Sequence, residues 1–322
     1  MKALLNYTQL IEEGLRNLEF PDTPTQLYEP QRYILELGGK RIRPILTLLA
    51  AELFNTAAQT ALPQALAIET FHNFTLIHDD IMDGAPLRRN QPTVHQKWNE
   101  NIGILSGDAL MIRAYQLLGQ IQPSLLPDAF DLFNTTALEV CEGQQMDMDF
   151  ETRMDVSAAE YVEMIRLKTS VLLGCALELG AIVAGATKND RDELYEFGQH
   201  IGIAFQIQDD ILDLYADPEK FGKQVGGDVI ANKKTILFLT ALNVATAEQR
   251  EILKQLSTEH DLVLKVSRTR ALFDHLNVRK LCEDRMKEHY SMALTALDKI
   301  QVDPSKKKVL IQLADYLMER DV

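Results

Sequence analysis

Apolar residues recur at helical spacing along almost the whole chain, and this feature restricts the fold more than any other. Ile34, Leu35 and Leu37, then Ile45, Leu46, Leu48 and Leu49, flank the pair Gly38-Gly39. The pattern continues through Ala109, Leu110, Ile112, Ala114, Leu117 and Leu118, through Val162, Ile165, Leu172, Leu173, Ala176 and Leu177, and on to Leu317. Spacings of three and four residues gather such side chains on one face of an α-helix. β-Branched residues are scattered rather than alternating, so no strand is expected. Breaks fall at Pro21–Pro24, Gly38-Gly39, Gly84–Pro92, Gln122–Pro127, Thr187–Asp190, Asp217–Asp228 and Val302–Pro304. They leave about ten helices. Helices that are hydrophobic over more than one face suit a single large antiparallel bundle around a central cavity. The fold class read from the sequence is all-α.

With 322 residues and 46% hydrophobic content, the chain can bury one large core or two ordinary ones. No Pro/Gly/Ser-rich linker, low-complexity tract or long charge block divides it, so one domain over residues 1–322 is expected. No apolar run is long enough for a transmembrane helix, and an integral membrane protein is not expected. Met1–Arg16 is amphipathic and carries acids, unlike a signal or transit peptide. Cys141, Cys175 and Cys282 are odd in number and lack metal-ligand spacing. They read as reduced thiols of a cytoplasmic protein, two of them buried. The formal charge of −14 and pI near 5.0 argue against general nucleic-acid binding.

Within this acidic chain, one pattern occurs twice, 130 residues apart. Asp79-Asp80-Ile81-Met82-Asp83 and Asp209-Asp210-Ile211-Leu212-Asp213 both read D-D-x-x-D. On a helix the first and last Asp of each set are i,i+4 neighbours, so their carboxylates project from one face and repel. Each set follows an apolar stretch, Phe71 to Ile77 and Ile201 to Ile207. Carboxylates emerging from a buried segment need a partner. Mg²⁺ is such a partner, and it prefers one or two carboxylates plus waters and substrate phosphates to an all-protein cage. Two acidic helix turns therefore read as a bridge, through Mg²⁺, to a phosphorylated substrate.

The basic residues suit that substrate. Gly38-Gly39-Lys40-Arg41-Ile42-Arg43-Pro44 places three cations on a glycine turn entering an apolar helix, an anion-binding arrangement. Arg88-Arg89 follows the first acidic turn closely, either as its salt-bridge partners or as bidentate phosphate ligands. Lys168-Thr169, Lys223 and Lys233-Lys234-Thr235 draw their interest from their spacing around the second acidic motif. His72 lies seven residues before Asp79 on roughly the same helix face, and taken alone reads as a core histidine.

From Gly38–Pro44 to Lys233–Thr235 the chain resembles the all-trans prenyl diphosphate synthases, or polyprenyl synthetases. The matches follow in order: G-G-K-R-x-R-P, His72, the first D-D-x-x-D with Arg88-Arg89, Pro92-Thr93-Val94-His95, and Gly107-Asp108. Gly143-Gln144 with Asp147, Lys168-Thr169, Phe205-Gln206, the second D-D-x-x-D, Lys223 and Lys233 complete the series. Asn232 stands where the family usually has Gly, and Leu237 where Pro is frequent. The resemblance implies an isoprenoid synthase-like helical bundle, usually a homodimer. It implies three Mg²⁺ ions per active site, two on Asp79 and Asp83 and a third on Asp209, with Asp80, Asp210 and Asp213 in support. Arg88, Lys168, Lys223 and Lys233 would hold the diphosphate of an allylic substrate. Lys40, Arg43, His72 and Arg89 would hold that of isopentenyl diphosphate, with Thr169 and Gln206 as weak dipoles beside the carbocation.

The implied reaction is head-to-tail condensation of isopentenyl diphosphate with dimethylallyl, geranyl or farnesyl diphosphate, without a protein nucleophile. Phe74, five positions before Asp79, together with Thr75, Met111, Ile112 and Cys141, would set the product length. An aromatic residue at that position with no insertion in the motif resembles the short-chain type making geranylgeranyl diphosphate, with farnesyl diphosphate as the alternative. A terpene cyclase would be expected to carry a different second motif, and a non-catalytic synthase subunit to have lost one of the two.

Overall fold

The structure, a computed structural model, describes residues 4–153, 155–216 and 225–318. In chain order the helices are α1 (Leu5–Arg16), α2 (Thr25–Glu36), α3 (Ile42–Leu53), α4 (Leu62–Met82), α5 (Val94–Lys97), α6 (Glu100–Leu118), α7 (Leu126–Thr152) and α8 (Ala158–Ile165). They continue as α9 (Val171–Val183), α10 (Lys188–Tyr215), α11 (Gly227–Ile230), α12 (Ile236–Val244), α13 (Ala247–Ser257), α14 (Leu262–His275), α15 (Val278–Lys299) and α16 (Pro304–Met318). The all-α expectation is met. Breaks in the described residues fall where glycine and proline interrupt the apolar pattern. α2 stops at Glu36, for example, before Gly38 and Gly39, both at positive φ.

Other boundaries come from side chains that satisfy the orphan N–H groups of a helix start. Ser157 with Glu160, and Thr246 with Gln249, form reciprocal capping boxes at α8 and α13. The Asn99 and Asp261 side chains accept from the first turns of α6 and α14. Among the described residues no helix is long and apolar enough to cross a membrane. Cys175 and Cys282 are buried thiols and Cys141 an exposed one.

Two compact units emerge. The first comprises residues 1–134, 175–194 and 301–306. Its axis is α4, whose residues from Gln64 to Phe71 are all buried. The Phe71 ring meets Phe74 and Phe133 edge-on at 5.4 and 5.2 Å, and Phe133 meets Tyr115 at 5.1 Å. Such aromatic contacts add about 0.5–1.5 kcal/mol each to plain burial. This unit also holds a short ladder that the sequence reading did not expect, with Leu87–Arg88 pairing antiparallel to Gln91–Pro92. Arg89 and Asn90 close it at φ of 52° and 62°, the left-handed geometry that two-residue hairpins require. Two residues per strand are too few to produce an alternating pattern.

The second unit comprises residues 135–174, 195–300 and 307–322. Its core runs through Phe150, Tyr161, Ile165, Ile207, Ile211, Phe273 and Cys282. Five residues between α8 and α9, Arg166–Ser170, form a π-helical turn.

Candidate active site

Both acidic motifs occupy the last two turns of long helices, α4 of 21 residues and α10 of 28. Asp83 is the cap residue of α4, its N–H bonded to the Asp79 carbonyl at 2.8 Å. Helix C-termini carry the negative end of the macrodipole, so carboxylates gathered there are opposed by the helix as well as by one another. Cations must offset this. Asp79 is half-buried and Asp83 exposed. Their hard oxygen donors, two to a helix end, fit Mg²⁺ held jointly with phosphate oxygens. Among the described residues no three His, Cys, Asp or Glu side chains form a self-sufficient metal cage.

The middle aspartates do different work. Asp80 is 2% exposed and takes a bidentate pair from Arg88, with contacts of 2.8 to 3.0 Å. Arg88 Nη2 also lies 3.7 Å from Asp79 Oδ2. Of the two uses open to Arg88 in the sequence, the salt bridge is the one formed here. Asp210 is 5% exposed and accepts from the Tyr161 hydroxyl at 2.6 Å, the Ile236 N–H at 3.2 Å and the Gln206 amide at 3.3 Å. Burial pushes its carboxyl up to about 7, and nearby Asp228 adds to the rise.

In the first unit the glycine turn and the hairpin deliver cations to one place. Arg41, at φ 51°, is fully withdrawn from solvent and bonds Glu69 at 2.5 Å, Glu12 at 2.7 Å and the Leu35 carbonyl at 2.6 Å. This buried pair was not among the sequence expectations. Glu69, a lone charge within the apolar run Ala65 to Phe71, was its available signal. Arg43 Nη1 lies 3.3 Å from His72 Nε2, while its buried Nε has no partner. Arg89 Nη1 donates to the Gly38 carbonyl. A Cβ on Gly39 would lie 2.9 Å from the Arg89 guanidinium, so only glycine admits this contact without a shift.

His72 records the resulting field. Burial first, then Arg43, Arg89, Arg88 and Arg41, hold its imidazole well below the ordinary value, leaving it neutral at pH 7. Arg41 and Arg88 have carboxylate partners; Arg43 and Arg89 pair with none among the described residues. Two partly withdrawn guanidiniums beside a neutral imidazole and a glycine turn make a cationic cluster whose donors suit an anion. Lys40 is exposed on the same turn.

In the second unit Lys168 sits on the π-helical turn and donates to Asp147 Oδ2 at 2.6 Å. A Cβ on Gly143 would lie 2.2 Å from the Lys168 backbone nitrogen, so α7 meets this turn backbone to backbone. Thr169 follows on the same turn and is half-buried. Asp213 Oδ2 accepts from the Asp228 N–H at 3.0 Å, and Lys233 Nζ is 3.7 Å from Asp228. Lys234 instead turns to the Phe150 and Glu151 carbonyls, a structural role. Asn232, where the family usually has Gly, takes φ 55°, a left-handed conformation that asparagine tolerates. Leu237 is a buried residue of α12. Lys223 lies outside the described residues. Tyr161, 49 residues from the Asp210 it bonds, carried no sequence signal.

Phe74 is 8% exposed, edge-on to His78 at 4.9 Å, and Thr75 bonds the His72 carbonyl. Met111 is half-buried, whereas Ile112 at 56% and Cys141 are exposed on this chain.

Sequence and structure comparisons converge with this geometry. A profile of the polyprenyl synthetase family matches residues 24–271. The chain is 38% identical over 311 residues to a geranylgeranyl diphosphate synthase of Methanosarcina mazei, covering 92% of this chain and 91% of that one. It is 38% identical over 315 residues to a geranylgeranyl pyrophosphate synthase of Geoglobus acetivorans, covering 97% of each. A crystal structure of a geranylgeranyl pyrophosphate synthase, 42% identical, superposes with a TM-score of 0.92 over 99% of this chain and 98% of that one. Two acidic helix ends, a cationic glycine turn and these likenesses over nearly the full length make the chain a trans-prenyltransferase of isoprenoid-synthase fold, belonging to the polyprenyl synthetase family.

Proposed function

We propose that the chain condenses isopentenyl diphosphate with allylic diphosphates in a Mg²⁺-dependent reaction, giving geranylgeranyl diphosphate. One observation carries this reading: Arg43, Arg89 from the hairpin and a neutral His72 from α4 gather beside the glycine turn, in the unit that also holds Asp79 and Asp83. Asp79, Asp83, Asp209 and Asp213 would hold Mg²⁺, and Lys168, Lys223, Lys233 and Arg88 the allylic diphosphate. Arg43, Arg89, Lys40 and His72 would orient isopentenyl diphosphate. Bound Mg²⁺ would supply fixed positive charge against the departing diphosphate.

The protein's own part follows from its charges and walls. Breaking the allylic C–O bond sends charge onto the diphosphate, and preset lysines and arginines favour that product of cleavage. The Thr169 hydroxyl and Gln206 amide present weak dipoles to the allylic cation, and apolar walls exclude water that would quench it. The double bond of isopentenyl diphosphate then attacks C1, and loss of a proton to the departed diphosphate restores an allylic product. No side chain need become covalently attached.

The family match spans both compact units, which supports one catalytic domain over residues 1–322. Homodimeric assembly is supported by exposed apolar pairs at helical spacing, Leu105 with Ile112 on α6 and Leu138 with Cys141 on α7. A cytoplasmic setting suits three cysteines that are all free thiols. Asp79→Ala and Asp209→Ala, assayed with Mg²⁺ and both substrates, are expected to lower kcat by about 10²-fold or more with circular dichroism unchanged. Near-wild-type turnover in either variant rejects the assignment.

A further inference from the structure

Lys265 on α14 is a buried lysine, 3% exposed, whose ammonium donates to the Ile230 carbonyl at 3.1 Å. That bond caps the C-terminal end of α11. It uses one of three N–H donors, and no carboxylate pairs with Lys265 among the described residues. A buried ammonium with a single neutral acceptor is costly unless an anion or further acceptors meet it.

The residue lines a cavity of about 390 Å³ that lies wholly within the second unit. The lining includes the apolar side chains Leu242, Leu253, Leu256 and Phe273, with Thr269 and Ser257 as small polar groups. Leu253, Leu256 and Phe273 are buried core residues at the base of this lining, and Val229, Phe238 and Leu242 beside them are only partly buried. The proposed transfer reaction uses none of these side chains. The lining also includes Asp213, Asp228 and Lys233. An occupant would therefore contact the segment that braces the second acidic turn, where the Asp228 N–H holds Asp213.

We propose that this cavity binds a single-chain amphipathic anion, with its hydrocarbon body against Leu253, Leu256 and Phe273 and its anionic headgroup at Lys265. Burying a short alkyl chain supplies most of the affinity. A headgroup at Lys265 supplies the missing countercharge. Carboxylate and phosphate headgroups satisfy the same donors, so both serve as probes.

The full chain is titrated calorimetrically with decanoate and, separately, with decyl phosphate, without added magnesium. One saturable site per chain is expected for at least one probe, and the tighter probe identifies the headgroup. Lys265→Met should weaken binding by at least about tenfold. Ser257→Phe, which keeps Lys265 but fills the cavity, should do the same and serves if the methionine variant fails to fold. Photolabelling of the wild-type chain by a diazirine-bearing decanoate should fall within residues 237–273. The proposal is overturned if neither probe saturates below about 1 mM. It is equally overturned if folded variants bind like wild type or if labelling lies wholly outside that segment.

Discussion

At the scale of single residues, the two aspartate motifs divide labour by position. The outer members, Asp79 and Asp83, stay partly or fully open to solvent, while the second members, Asp80 and Asp210, are consumed by protein partners. Phe74 shows a similar division on α4. It lies five residues before Asp79, about 7.5 Å down the axis and about 140° around it, whereas Thr75 stands directly beneath Asp79. Its ring fills the space between Phe71 and His78. Phe74→Ala is expected to open that space and lengthen the products by at least one five-carbon unit, read by chromatography of the hydrolysed products. An unchanged distribution would remove Phe74 as a residue that sets product length. A C15 product from the unaltered enzyme would select farnesyl diphosphate over the geranylgeranyl reading.

At the scale of elements, α10 and α15 meet through a titratable contact. His200 Nδ1 lies 3.1 Å from His289 Nδ1, with Glu196 3.6 Å from the far side of His200. Burial first, then His200, pull His289 down to about 4, and burial lowers His200 as well. A depressed histidine contributes stability that is present above its unfolded value near 6.5 and lost as pH falls through the folded value. The window for His289 is therefore pH 6.5 down to about 4. Asp210 acts with the opposite sign: its raised carboxyl contributes below about 4, and that contribution is lost as pH rises to about 7. Comparing wild type with His289→Gln separates the two. Because the Asp210 contribution is common to both proteins, the change in stability between pH 7 and pH 4.5 should be less favourable in wild type than in the variant by about 1–3 kcal/mol, read from urea midpoints. Equal losses in both would show that the histidine contact does not couple to folding.

At the scale of the whole molecule, apolar surface remains that this chain alone does not cover. Leu105 is 61% exposed, Ile112 56% and Leu138 62%. Scattered exposed leucines are ordinary, but pairs at helical spacing on consecutive helices suit a two-fold interface. Light scattering should give twice the chain mass of 36.4 kDa. Leu105→Glu should shift it toward the single chain by placing a charge in the contact. A fully active wild-type monomer at assay concentration would reject the dimer.

Local chemistry let the sequence alone determine the helical class, the main breaks and the two acidic turns. Apolar spacing, glycine and proline act within a few residues, and D-D-x-x-D needs only the helix pitch to align its carboxylates. The cationic glycine turn was legible for the same reason. Four things depended on residues brought together from far apart in the chain. Arg41 became a core ion pair because Glu69, 28 residues on, is buried against it. Asp210 acquired a raised carboxyl because packing buries it and brings Asp228 near, which outweighs the lowering hydrogen bonds from Tyr161 and the Ile236 N–H. His72 became a neutral member of an arginine cluster rather than a plain core histidine, as the hairpin brought Arg88 and Arg89 to it. Lys265 came to line a cavity only through the packing of α12, α13 and α14. Burial, charge environment and ion pairing are set by neighbours in space, and those neighbours exist only once the helices have packed.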